Sequence, residues 1–285
     1  LGIAFLGFLH SLCDSSRRSL VQVAMTQLGE AIARYNKLLE TPPLADLAWA
    51  EDLEDKMLAA RLKDGPRPVC PFLRPNFLSR RQFDMLTKAA ETICSAVDRM
   101  ERLALANPTV LARLHLLPAE KMLASVDPGY STLAVASLLD AQLNGQSLSF
   151  LSYSAGAPPG VIYGPPLADL FFDSPAVKQF RRQYRLTKIA ATKPLAASLL
   201  AAYKQFGGKQ KPRVGVLDFR PAFQTADPGE PALVAGQLAS HGITAAVVYP
   251  DQLDYRANVL RQGDFAIDLL LHSVRVHEFL LRFDL

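Results

Sequence analysis

The sequence predicts an α/β fold, in which an N-terminal helical region leads into an α/β domain with a partly parallel sheet. Three observations carry that reading. The chain has 285 residues, 49% of them hydrophobic, and a chain of this length buries roughly three quarters of its unfolded surface. Its first part repeats apolar residues at helical intervals. Its second part sets strand-length apolar runs between helices, most clearly Arg213 to Asp218, Glu230 to Ser240 and Thr244 to Tyr249. Strand, helix and strand in that order require a parallel crossover. The pattern changes at Asp127-Pro128-Gly129-Tyr130, so a helical region over 1–126 is expected before an α/β domain over 127–285.

The elements follow in order. Leu1 to Cys13 is strongly apolar. It is too short for a bilayer, which needs about 20 residues, and reads as a helical start or as the remnant of a secretory signal. Leu20 to Leu39 places Val21, Ala24, Leu28, Ile32, Tyr35 and Leu39 on one helical face, and Thr41-Pro42-Pro43 ends it, because proline disfavours helix in the residue before it. Asp46 to Leu62 is a second helix, with the single tryptophan, Trp49. Ser79 caps a third, whose buried stripe is Phe83, Leu86, Ala90, Ile93, Val97 and Met100. Short helices start at Asn107-Pro108 and Pro118. Leu148 to Tyr153 is a strand. Pro165 to Phe172 and Ser174 to Tyr184 are helices with proline in the first turn, where its missing N–H does no harm. Thr192 to Phe206 is a helix stopped by Gly207-Gly208. Ile267 to Leu271 is a further buried strand, and Val274 to Phe283 has helical spacing.

Composition narrows the function. Charged residues make up 20%, and 31 basic against 27 acidic side chains leave a formal +4. That balance excludes a disordered chain and argues against nucleic acid as partner, since the excess is spread rather than run together. The three cysteines, Cys13, Cys70 and Cys94, form no CxxC pair, so a reducing, cytoplasmic compartment is expected. No membrane association is read.

Common chemical motifs are missing. Gly207-Gly208-Lys209-Gln210 lacks the upstream glycine and the following Ser or Thr of a phosphate loop, holding Tyr203 and Gln210 there. No GxGxxG follows a strand, and no GxSxG elbow occurs. The five histidines do not fall at metal-ligand spacing, so no metal site is assigned. The basic clusters Arg181 to Arg185 and Lys209 to Arg213 read as solvated surface or as a place for an anion.

Topology points to one edge. Ligands of open α/β sheets sit beyond the carboxyl ends of the parallel strands, which here carry Asp218, Phe219 and Arg220, then Tyr249 and Asp251. The loop from Arg220 leads to Glu230 at a helix start. Free N–H groups there, with Arg220, suit a carboxylate or phosphate. The alternative is that Asp218 and Arg220 pair within the loop while Glu230 complements the helix dipole.

Several segments together resemble a known family. They are Cys70 to Phe77 (CPFLRPNF), Asp127 to Tyr130 (DPGY), Leu138 to Leu143 (LLDAQL), Leu151 to Gly160 (LSYSAGAPPG), Leu167 to Phe172 (LADLFF), Val214 to Arg220 (VGVLDFR) and Phe265 to Leu281 (FAIDLLLHSVRVHEFLL). Their order is similar to that of the front portion of circularly permuted ATP-grasp proteins, relatives of the glutathionylspermidine synthase and glutathione synthetase type of ligase. The resemblance implies a Rossmann-like, substrate-side domain and an ancestral reaction in which ATP drives the joining of a carboxylate to an amine. It assigns substrate contacts to Asp140, Ser152, Ser154, Gly160, Arg220 and Glu230.

The sequence departs from the family pattern at the charged positions. Where members show Arg-Leu-Asp, Glu-x-Asn, a further acid and Pro-Ala-Gly, this chain has Leu138-Leu139-Asp140, Ser152 and Ser154, Gly156, and Pro158-Pro159-Gly160. A Lys-Arg pair expected after the last strand is His272-Ser273. ATP and Mg2+ are expected of the intact family, in a grasp portion lying largely beyond Leu285, and neither is assignable within this chain. The expectation is therefore a partial or degenerate ligase-like chain, inactive alone, whose partner is a small carboxylate or amine. The alternative is a non-catalytic module for a protein partner, or a small-anion-binding domain.

Overall fold

A computed structural model describes residues 2–3, 27–131, 134–144, 147–155, 160, 162–189, 191–219, 229–272 and 280. Along the chain these form β1 (Gly2–Ile3), α1 (Gln27–Leu39), α2 (Ala48–Ala59), β2 (Lys63–Asp64), β3 (Arg67–Pro68), β4 (Phe77–Leu78), α3 (Arg80–Ala106), α4 (Pro108–Ala112) and α5 (Pro118–Ala124). Then come β5 (Leu138–Asn144), β6 (Ser147–Ser154), α6 (Gly164–Asp173), α7 (Pro175–Phe180), β7 (Thr187–Lys188), α8 (Thr192–Gln205), β8 (Val214–Leu217), α9 (Gly229–Ser240) and β9 (Ala245–Val248). The last strands are β10 (Leu253–Arg256), β11 (Val259–Gln262), β12 (Phe265–Ile267) and β13 (Leu269–His272). The chain is thus a mixed α/β protein, as its sequence predicts. No helix among the described residues is long and apolar enough to cross a membrane.

Local chemistry explains the helix starts. Ser79 and Gln82 form a reciprocal cap: the Gln82 N–H donates to Ser79 Oγ at 3.2 Å, and the Ser79 N–H donates to Gln82 Oε1 at 3.0 Å. Asn107 Oδ1 accepts from the N–H groups of Thr109 and Val110, with Pro108 in the first turn of α4. Ser174 Oγ accepts from Val177 N and donates to the Phe171 carbonyl, which satisfies this buried hydroxyl between α6 and α7.

Two compact units divide the chain. The first takes Leu1–Met85, Leu143–Leu148 and Tyr163–Ile189. Its β1 pairs antiparallel with β4 and parallel with β7. Gly2–Ile3 is therefore strand where a helical start is expected, and the rest of the apolar opening lies outside the described residues. The core is aromatic: Tyr35, Phe77 and Phe180 are buried, and each pair of rings lies 5.1 to 5.2 Å apart between centroids. The Tyr35 hydroxyl donates to the Leu73 carbonyl at 3.1 Å. Trp49 is buried, and its indole N–H donates to the Leu44 carbonyl.

The second unit takes Leu86–Gln142, Ser149–Ile162 and Ala190–Leu285. Its centre is a parallel sheet in the order β13-β8-β9. Gly215 of β8 faces Leu270 on one side and Ala246 on the other. Every β8 residue is buried, as expected for a strand flanked on both sides. A Cβ at Gly215 would come within 3.0 to 3.2 Å of Val248, Ile267 and Leu270 side chains, so a larger residue there would make these neighbours give by a few tenths of an ångström. A meander of β10, β11 and β12 packs Leu253, Leu260 and Phe265 against Leu217, Val248 and Ile267.

Two expectations need correction here. The single strand over Ile267 to Leu271 is divided at Asp268, where the chain leaves the meander and enters the parallel sheet. Asp268 makes the break by accepting three hydrogen bonds from Arg213: from the backbone N–H at 2.9 Å, from Nε at 2.8 Å and from a terminal nitrogen at 2.9 Å. That clamp holds the Asp268 carboxyl below the usual carboxylate range. The stripe on α3 is only half-buried, and Met100 is exposed at 53%. The segment Val274 to Phe283, apart from Leu280, lies outside the described residues.

Candidate functional site

The three parallel strands end at one edge, with Asp218 after β8, Tyr249 after β9 and His272 closing β13. The Asp218 N–H donates to the Val248 carbonyl at 3.0 Å, which carries the ladder one residue past the strand and fixes Asp218 at the rim. The Tyr249 N–H donates to Gln262 Oε1 at 2.8 Å, tying the β9 end to the meander. α9 packs on β8 and β9, and its first turn brings in Glu230.

Glu230 reaches out of its helix. Its Oε1 accepts the Gly160 N–H at 2.6 Å. Gly160 has φ of 76°, a left-handed backbone that glycine adopts without steric cost. Asp218 and Glu230 are both half-buried. Loss of water pushes each carboxyl above its ordinary value, and one backbone hydrogen bond to each only partly offsets this. Each of these acids, held short of water, suits a cation or a primary ammonium better than an anion.

The expected site residues fall into separate pairs. Ser152 Oγ donates to Asp140 Oδ2 across the β5–β6 hairpin. Gly160 meets Glu230. Ser154 is exposed at the end of β6. Arg220 lies outside the described residues, as do Gly156, Pro158 and Pro159. Among the described residues, no hydrogen bond or ion pair joins the Asp140–Ser152 pair to the Gly160–Glu230 pair.

Sequence reasoning passed over one polar cluster. Cys94, Asp98 and Glu101 recur at helical spacing on α3, near Ser137 and Tyr153. Cys94 Sγ lies 3.7 Å from Ser137 Oγ, and the Tyr153 phenol shares a hydrogen bond with Ser137. Glu101 Oε2 is buried without a hydrogen-bond partner among the described residues. Burial, then the charge of Asp98, raises its carboxyl above the ordinary value. The spacing of 94, 98 and 101 is the signal that could have found it. Replacing Glu101 with Met is expected to stabilise the protein at pH 7 by about 1 kcal/mol, the order of cost for an unsatisfied buried acceptor. The gain shrinks toward pH 4, where the carboxyl is protonated, and melting curves at the two pH values check it.

Among the described residues, no three His, Cys, Asp or Glu side chains gather where they could hold a metal.

No family model and no curated protein matches the chain. Among solved structures, a glutathione synthetase-like effector from Globodera pallida, determined in its apo form, matches at a TM-score of 0.52 and 15% identity. The match covers 85% of this chain and 61% of the effector, so the chain spans less than two thirds of that protein's length. At this identity the likeness concerns the fold, and the chain has a fold similar to that of a glutathione synthetase-like protein.

Proposed function

We propose that the chain is the substrate-side portion of a ligase scaffold of the circularly permuted ATP-grasp type, and that its Asp218–Glu230 edge receives the amine. The ancestral reaction is ATP-dependent joining of a carboxylate to an amine. Two half-buried carboxyls with raised proton affinity, set beyond the ends of parallel strands, carry the reading. Likeness of fold to an effector named for glutathione synthetase supports it. In a site short of water, a carboxylate gains more from an ammonium partner than it would at the surface, and Gly160 positions Glu230 for that contact. The chain by itself binds substrate without turning over ATP. Its ligand in this reading is a small molecule, met in the cytoplasm.

Calorimetric titration of the purified chain with a linear diamine, with the matching dicarboxylate and with Mg·ATP tests this. The diamine is expected to bind and the dicarboxylate not. Preference for the dicarboxylate, or no binding of the diamine, removes the proposal.

A second reading has its own support. Met100 and Leu103 on α3, with Leu114, Leu117, Met122 and Val126 following it, are all exposed. So much apolar surface fits a non-catalytic module that packs on a protein partner. Under that reading the diamine does not bind. Restoring acid and amide by Ser152→Glu with Ser154→Asn then leaves ligand binding unchanged.

A further inference from the structure

The first unit contains a cavity of about 220 Å³. One wall is a face of α2, with Ala50, Leu53 and Met57; the other is the loop through Cys70 and Phe72. Both walls are fixed. The Val69 N–H donates to the Leu62 carbonyl at 2.9 Å, and the Tyr35 hydroxyl holds the Leu73 carbonyl from the core side. Leu53, Met57 and Cys70 are buried and make an apolar floor. At the mouth, Leu47 and Phe72 are exposed at 47% and 43%. Leu47 also sits at φ of 61°, left-handed for a branched side chain.

Two carboxylates complete the lining. Glu51 and Glu54 lie three residues apart on α2, are exposed, and have no ion-pair partner among the described residues. Arg67 and Arg74 flank the opposite loop, and neither lines the cavity. The lining therefore combines an apolar hole with two carboxylates at its rim that no ion pair among the described residues neutralises.

Size decides between kinds of occupant. Pockets for whole small ligands run about 300–1,000 Å³, whereas an apolar cavity of about 150 Å³ takes a single benzene ring. This cavity has space for one ring or one branched side chain and little more. The exposed Leu47 and Phe72 extend the apolar surface past the hole, which a single small molecule inside it would not cover. Two carboxylates a helical turn apart ask for two cationic groups. We infer that this is a docking site for a basic peptide segment, one that inserts a single aromatic or branched side chain between flanking Lys or Arg residues. This is peptide recognition by one anchor in a pocket with a charged rim, and it does not depend on the ligase reading.

The test uses the full chain and a labelled heptapeptide with a central Phe between paired lysines, followed by fluorescence anisotropy. The peptide is expected to bind, more weakly as salt is raised. Changing its Phe to Ala should weaken binding at least about tenfold, and changing its lysines to Glu should abolish it. Ala50→Phe, which fills the hole, should weaken the parent peptide similarly. Because that variant also alters packing at half-buried Ala50, Glu51→Lys with Glu54→Lys gives a second arm confined to exposed groups, and it should transfer preference to the Glu-flanked peptide. The proposal is overturned if the parent peptide does not bind, if the Ala peptide binds equally well, or if charge reversal leaves the preference unchanged. Phenethylamine binding as tightly as the peptide would also overturn it, in favour of a small-molecule site.

Discussion

Replacing Phe77 with alanine is expected to destabilise the first unit by about 3–5 kcal/mol, the usual cost of emptying a buried aromatic site. Phe77 is 2% exposed and sits on β4, where it pairs with Ile3 of β1. Its ring meets Tyr35 edge-on at 5.2 Å and lies 5.2 Å from Phe180. Removing it leaves a void between α1 and α7 and breaks two ring contacts, each adding about 0.5–1.5 kcal/mol beyond burial. Denaturant unfolding followed through Trp49 reads this directly, since the only tryptophan is buried in the same unit. Leu103→Ala, at a site 48% exposed on α3, is the control and should cost less than about 0.5 kcal/mol. Equal effects from the two substitutions would mean that the aromatic cluster does not organise this unit.

Much of this architecture is legible in the sequence because local chemistry and packing agree. Ser79 with Gln82, Asn107 with Pro108, and Ser174 with Pro175 mark helix starts by capping, which acts within a few residues. The Val214 and Ala245 strands were readable because both flank a helix of adequate length. Long-range pairing was not readable. β1 finds its partners at Leu78 and Thr187, and nothing within Gly2–Ile3 encodes that. The meander was hidden because its first turn uses Ala257 and Asn258 at φ of 52° and 61°, without the Asn-Gly or Asp-Gly that announces such a hairpin. The break at Asp268 inside IDLLL was not readable, since its partner, Arg213, lies 55 residues away. At the site, Glu230 was legible as a helix-start acid. Its reach to Gly160 was not, because that contact spans 70 residues.

Glu230→Gln carries the largest expected effect on ligand binding. The amide keeps an oxygen for the Gly160 N–H, so the backbone arrangement survives while the charge is lost. Under the proposed function, diamine affinity should fall at least about 30-fold, equivalent to about 2 kcal/mol for one partner of a half-buried charge pair. Asp218→Asn should act in the same direction, and the double variant should lose less than the product, because both carboxylates face one ligand. Affinity should rise with pH as the two raised carboxyls ionise, then hold until the amine loses its proton near about pH 10. Stability should move the other way. For both acids the folded-state value lies above the unfolded one, so the folded form binds more protons in between. Their contribution is intact below the unfolded value and is lost as pH rises through the folded value. Glu230→Gln should thus match the parent at low pH and exceed its stability at neutral pH, while binding the diamine worse. A variant that loses stability at neutral pH and keeps its diamine affinity would make Glu230 a tether for Gly160 and leave the amine without a site.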